Sequence, residues 1–203
     1  MGRSELMWEE VKTEHVEKNQ WIDLRKTFYR LPNRRIAGPF YSYTRRDYAV
    51  IAATDEDGRF ICVRQFRQGI RTVTTEFPAG GIERGDGEAS SGGAAAEAEA
   101  LAAAKRELLE ETGYVSDQWS HLLTIPSHAT TSDNYAYIYR AENCKMVARQ
   151  KLDQTEFISV AAYSPGELEE LIREGGFQQA VHVLAWLLTR EGSPRLIGEE
   201  IHI

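Results

Sequence analysis

The alternation of large apolar and charged residues between positions 8 and 48 predicts two or three antiparallel strands, with turns suggested at Pro32-Asn33 and Gly38-Pro39. Tyr48 to Thr54 and Arg59 to Phe66 are apolar runs on either side of Asp55-Glu56-Asp57-Gly58, the pattern of a hairpin. From Ala94 to Lys105 the chain is Ala, Glu, Leu and Lys without Gly, Pro or β-branched residues, which predicts helix. That helix should continue through Arg106-Glu107-Leu108-Leu109-Glu110-Glu111-Thr112 and stop at Gly113, a residue suited to the left-handed position past a helix C-terminus. Trp119 to Ile125 and Asn134 to Arg140 predict two further strands. Ser164-Pro165-Gly166-Glu167 combines a capping box with proline at the first helical position, so a helix should run from there to Gly175-Gly176. A last helix is expected from Phe177 to about Arg190, with Val181, Leu184, Ala185 and Leu188 facing the core and His182 structural.

The long helix carries the candidate chemistry. Glu107 and Glu111 lie one turn apart on one face, with Glu110 beside Glu107. Glu110 and Glu111 also fall in the last turn, where the helix dipole disfavours anions by roughly 0.3–1 kcal/mol each. A hard divalent cation with oxygen ligands would compensate, Mg²⁺ first because it favours a few carboxylates plus substrate phosphates, with Mn²⁺ as the alternative. The other reading of the same charges is a solvated face offset by Lys105 and Arg106.

Composition narrows the partners. The 203 residues, 42% hydrophobic, suit one compact domain with a small appended piece. A net charge of −7 and no basic face argue against nucleic acid. Cys62 and Cys144 form no metal-like or redox spacing, and MGRSELMWEE lacks the apolar core of a signal peptide. No apolar run approaches membrane-span length. A cytoplasmic protein without membrane association is therefore expected.

Ahead of the helix stands Glu76-Phe77-Pro78-Ala79-Gly80-Gly81-Ile82-Glu83-Arg84-Gly85, a strand end entering a turn-rich loop. Together, EFPAGGIE and RELLEETGY resemble the Nudix hydrolase box, and the flanking residues resemble its ADP-ribose pyrophosphatase branch. The second half of the box matches in full. In the first half, the place of the family's glutamate holds Asp86, and nineteen residues separate Asp86 from Arg106, about twelve more than the family pattern has. The insertion, at about 87–105, begins Gly/Ser-rich and ends as extra helix; it reads as a surface excursion, since loop insertions cost little entropy.

The resemblance covers about Tyr48 to Arg190 and implies a mixed α/β fold: a Nudix-type α/β/α sandwich, residues 48–203, after a small N-terminal antiparallel β region, residues 1–47. It implies hydrolysis of the diphosphate linkage of ADP-ribose or a related nucleoside diphosphate sugar, giving a nucleoside monophosphate and a sugar phosphate. Glu107, Glu110, Glu111 and the Ala79 carbonyl would be metal ligands, with Arg106 orienting the glutamates. Glu156, in Leu152 to Val160, matches the branch's catalytic glutamate outside the box; the alternative is an exposed strand-edge charge. Arg67, in Gln65-Phe66-Arg67, is the first candidate for a phosphate contact, and Glu76 is also counted among the substrate-binding residues. A structural salt bridge from Arg67 to Glu76 is the competing reading. Tyr43, Arg45 and Arg46 precede the first core strand, where the family often places base or phosphate contacts. The aromatic-rich N-terminal region suggests a partner surface, and the branch makes that partner a second copy of the chain, a homodimer; the same aromatics packing on their own domain is the alternative. A Nudix-shaped module that binds nucleotides without hydrolysing them remains the second functional class, favoured by Asp86 and the insertion and opposed by the complete glutamate set.

Overall fold

The computed structural model describes residues 2–83 and 94–190. Asp86, the Gly/Ser-rich part of the insertion and the tail from Ser193 lie outside these residues. Two compact units are distinguished. The first contains residues 1–46 and 126–135, and the second residues 47–125 and 136–203.

The first unit holds β1 (Glu9–Lys18), β2 (Asp23–Arg30) and β3 (Ile36–Thr44), an antiparallel sheet in chain order. The β1–β2 turn forms because the Asn19 side-chain oxygen accepts hydrogen bonds from the Trp21 and Ile22 backbone N–H groups. Gly38-Pro39, expected to be a turn, instead sits inside β3, where the pairing with β2 shifts register between Thr27 and Tyr29. The Gly38 φ of +136° and the Thr27 carbonyl, 2.9 Å from where a Cβ would stand, explain the glycine as a strand irregularity.

The second unit is built on a mixed sheet of eight strands among the described residues. These are β4 (Tyr48–Asp55), β5 (Phe60–Arg67), β6 (Thr72–Glu76), β7 (Ala79–Gly81), β8 (Tyr114–Val115), β9 (Gln118–Pro126), β10 (Tyr135–Met146) and β11 (Ser159–Tyr163). The backbone order is β11-β5-β4-β10-β8, with β6 on β5, β7 on β4 and β9 on β10. β4 and β10 are parallel; β4 and β5 make the expected hairpin across Asp55–Gly58. Ala49 to Ala53 are all fully buried, so β4 is covered on both faces. One covering layer is α2 (Pro165–Arg173) with α3 (Ala180–Thr189), whose Leu168, Ala185 and Trp186 join Val50, Ala52, Phe77 and Phe177 in one core cluster. The other is α1 (Ala94–Thr112), which packs on β4, β5, β7 and β8. Helices on both faces of a mixed sheet give the sandwich that the sequence predicts.

Local signals set the helix ends. Ser164 caps α2 by accepting from the Glu167 N–H, while the Glu167 carboxylate accepts from the Ser164 N–H. α3 starts three residues later than the periodicity suggests, because Phe177 is drawn into the core against Phe77, with ring centroids 5.2 Å apart. α1 ends at Gly113, whose φ is +78° and whose N–H donates to the Leu109 carbonyl. Among the described residues no helix is long and apolar enough to cross a membrane.

Two glycines with the same backbone sign separate conformational strain from crowding. A Cβ on Gly113 would lie 2.1 Å from the Ala148 carbonyl oxygen, whereas one on Gly58, with φ of +73°, meets nothing within 4 Å. Gly58→Ala should cost about 1 kcal/mol, the left-handed penalty alone, and Gly113→Ala at least about 2 kcal/mol more, measured by urea unfolding. Equal losses would show that the segment after β10 yields without cost.

Candidate active site

Three ties fasten the C-terminal half of α1 to β7, itself paired with the central strand β4 through Val50 and Ala79. The Ala79 N–H donates to a Glu111 carboxylate oxygen at 3.1 Å. An Arg106 guanidinium nitrogen donates to the Gly81 carbonyl at 3.2 Å. Glu107 lies against Gly80 so closely that a Cβ there would stand 1.9 Å from the Glu107 carboxyl carbon. A side chain at position 80 would thus displace the Glu107 carboxylate from its present place, with no demand on the φ of Gly80.

Within the helix, Arg106 grips two of its neighbours, with nitrogens 2.7 Å from Glu107 Oε1 and 2.7 Å from Glu110 Oε2. Glu111 has no such cation among the described residues and is only 4% exposed. Burial pushes its carboxyl up to about 8; the Ala79 hydrogen bond and the charge of Arg67 oppose this, while the charges of Glu107 and Glu156 reinforce it. Glu107 is also raised, chiefly by burial, against the pull of Arg106.

Glu156 lies in the turn before β11 and not on a strand edge. Its carboxylate accepts from the Asp153 N–H at 2.9 Å, yet its charge is felt by both Glu107 and Glu111. Gln150, which no sequence signal singled out, explains how that turn is held near the helix. Its amide donates to the Glu111 carbonyl at 2.6 Å and to the Ile158 carbonyl at 3.3 Å. With the Lys151 N–H on the Glu110 carbonyl, it also satisfies acceptors that the end of a helix leaves open.

Arg67 forms the salt bridge to Glu76 that was the competing reading, at 2.8 Å, with its side chain 35% exposed and that of Glu76 fully buried. Glu76 also accepts from the Gln179 amide. His182 Nδ1 accepts from the Phe77 N–H at 3.1 Å, which places the ring proton on Nε2, and Nε2 lies 3.9 Å from Glu76. Burial and then Arg67 push the His182 imidazole down to about 3, so the ring is neutral. The only sequence cue to this arrangement was the position of His182 on an apolar helix.

The second unit thus brings together Arg67, Glu76, Ala79, Arg106, Glu107, Glu110, Glu111 and Glu156. Tyr43, Arg45 and Arg46 belong to the first unit. There the Tyr43 N–H donates to the Thr131 carbonyl, and the Arg46 carbonyl accepts from Asn134. Arg45 and Arg46 are exposed.

Among the described residues no three His, Cys, Asp or Glu side chains are already gathered as a metal cage. Glu107 and Glu110 are turned to Arg106, and Glu111 to a peptide N–H. The donor chemistry nevertheless fits a hard divalent cation: carboxylates that raise one another's proton affinity, beside a glycine whose missing side chain leaves room for them.

An ADP-ribose pyrophosphatase of Bacillus subtilis (strain 168) is 28% identical over 151 residues, 74% of this chain and 75% of that protein. A methanol dehydrogenase activator of Bacillus methanolicus is 26% identical over 176 residues, 86% of this chain and 88% of its own. A solved structure described as an ADP compounds hydrolase superposes with a TM-score of 0.73 at 19% identity, covering 91% of this chain and 92% of that one, which supports the fold. The NUDIX domain family model matches residues 44–187, well over half the chain, and the protein therefore belongs to the Nudix family.

Proposed function

We propose that the protein is a divalent-metal-dependent pyrophosphohydrolase that splits the diphosphate linkage of ADP-ribose or a related nucleoside diphosphate sugar. The products are a nucleoside monophosphate and a sugar phosphate. The observation that carries this reading is the seating of Glu107 and Glu111 against Ala79-Gly80, with the charge of Glu156 reaching both. The names of the ADP-ribose pyrophosphatase relative and the ADP compounds hydrolase support the substrate class.

Glu107, Glu110, Glu111 and the Ala79 carbonyl would hold the cation, Mg²⁺ by preference. When bound, it supplies neutralisation of the phosphate oxygens and acidification of water. Arg106 holds Glu107 and Glu110 aligned by its two ion pairs. Glu156 positions the attacking water and takes its proton. Arg67, fixed at Nε by Glu76, keeps its remaining guanidinium nitrogens for a phosphate oxygen. Tyr43, Arg45 and Arg46 contribute to recognition of the base and the adjoining phosphate.

The first unit supports a homodimer. Trp8, Tyr29 and Phe40 stack with centroids 5.3–6.0 Å apart, and Trp8, Trp21, Ile36, Phe40 and Tyr41 are all exposed by 42% or more. Light scattering at micromolar concentration should give twice the chain mass, and Trp8→Glu should shift it towards one chain. A monomer for the unaltered protein would remove this part of the proposal.

Hydrolysis is tested by a phosphatase-coupled assay with Mg²⁺ across ADP-ribose, ADP-glucose, UDP-glucose, GDP-mannose and NADH. ADP-ribose should turn over fastest, and Glu111→Gln should lose at least about 100-fold in kcat. Tight binding of all five without turnover would instead establish a binding module.

The buried carboxyl also makes a stability prediction. Folded Glu111 keeps its proton to about 8 against an ordinary value of 4.5. The native state therefore binds more protons across that window, and stability falls as pH rises through it. Above that window, without metal, Glu111→Gln should be the more stable protein, by on the order of 2 kcal/mol in denaturant unfolding. Added Mg²⁺ should stabilise the unaltered protein and not the variant.

A further inference from the structure

Arg67 and Glu76 share one face of the antiparallel pair β5–β6, in which Val63 stands opposite Glu76 and Arg67 opposite Thr72. An arginine and a carboxylate that meet directly tend to close a fork, two parallel N–H···O bonds that engage both carboxylate oxygens. Here the pair is single. Arg67 Nε donates to Glu76 Oε1 at 2.8 Å, and among the described residues that is the one hydrogen bond of the Arg67 side chain.

The fork stays open because Glu76 Oε2 already has a donor, the Gln179 side-chain amide. Gln179 occupies the N-cap position of α3, yet its side chain makes no cap hydrogen bond and turns to Glu76 instead. Glu76 is fully buried, so a donor from the protein must serve that oxygen. The next group is His182 Nε2, 3.9 Å from the same oxygen and beyond hydrogen-bond range. Its ring is tied at Nδ1 to the Phe77 N–H, which opposes its closing the gap.

Arg67 therefore keeps its terminal nitrogens out of the pair. Its side chain is 35% exposed, and its charge is felt at Glu111 as well as at His182. A guanidinium held at Nε alone, within reach of the α1 carboxylates, offers the planar two-pronged donor that suits a phosphate.

We propose that Gln179 is a positioning residue of the hydrolytic site: by occupying Glu76 Oε2 it prevents the carboxylate from closing on Arg67, and so leaves both Arg67 Nη nitrogens to the diphosphate. This rests on the phosphate contact proposed for Arg67. If Gln179 served only to join α3 to β6, its loss would act equally whatever stood at position 67.

The test uses the full chain, ADP-ribose and Mg²⁺, with Gln179→Met, Arg67→Lys and the two combined. Methionine has the length of glutamine and no donor, and α3 does not depend on residue 179 for a side-chain cap. Gln179→Met should raise KM about tenfold and lower kcat less than about twofold, as expected when a contact common to substrate and transition state is lost. Arg67→Lys should itself raise KM, and because an ammonium cannot form the fork, Gln179→Met should add nothing in that background. The Arg67 guanidinium NMR signals, assigned through Arg67→Lys, give a readout without catalysis: rotation of the terminal nitrogens should be fast in the unaltered protein and slowed in Gln179→Met. An unchanged KM for Gln179→Met, additive losses in the double variant, or unchanged rotation would each overturn the proposal. An unchanged KM for Arg67→Lys would remove the phosphate contact itself, and the proposal with it. Absence of turnover in the unaltered protein would overturn the hydrolytic reading, while slowed rotation in Gln179→Met would still establish Gln179 as the group that keeps the fork open.

Discussion

The contact between the last turns of α1 and the short strand β7 is the constraint on which the rest of the second unit depends. Glu107 reaches its position because residue 80 has no side chain, and Glu111 enters the interior because the Ala79 N–H is free to meet it. β7 can offer that N–H because its register on β4 fixes the direction of each peptide. β4, in turn, is immobilised by burial on both faces. A carboxylate is costly to remove from water, and the protein tolerates it here by burying it at the one edge where backbone, guanidinium and a missing side chain converge.

Two buried glutamates illustrate how environment divides function between identical groups. Glu76 is surrounded by Arg67, the Gln179 amide and the Nε2 side of a neutral His182, a set of donors that satisfies it. Among the described residues Glu111 has one peptide N–H as donor, and burial, with the charges of Glu107 and Glu156, raises its proton affinity. The first arrangement holds a side chain in place; the second leaves a demand for positive charge. That contrast, more than the number of acids, separates a carboxylate satisfied by its neighbours from the one proposed to hold the cation.

The insertion changes the meaning of the helix that carries the site. In its C-terminal half α1 is a carrier of acids; in its N-terminal half it braces the sheet, where the Glu97 carbonyl accepts from the Tyr139 hydroxyl. The alanines that make the stretch so strongly helical also allow close packing, with Ala96, Ala100, Ala103 and Ala104 buried against the sheet. Small residues inside and Glu97, Leu101 and Lys105 along another face follow from the same helical period.

What the sequence determined by itself was whatever depends on neighbours along the chain. The end of α1 at Gly113, the capping box at Ser164, the hairpin at Asp55–Gly58 and the grouping of Glu107, Glu110 and Glu111 were all legible, because a helix or turn converts fixed spacing into fixed geometry. Tertiary structure decided the rest. Gly38-Pro39 reads as a turn, and only its pairing with β2 makes it a strand irregularity. Gly80 reads as a loop glycine, and only the approach of Glu107 from the helix shows that a side chain there would displace the carboxylate. Arg67 offered a salt bridge or a phosphate contact, and only the fold shows that the first is made, at 2.8 Å from Glu76, in a way that leaves the second compatible with it. Gln150 carried no pattern at all, and His182 only its place on an apolar helix, since their hydrogen bonds to distant segments leave no periodic trace. Burial, which raises Glu111 and lowers His182, is likewise a property of the assembled layers and not of any segment.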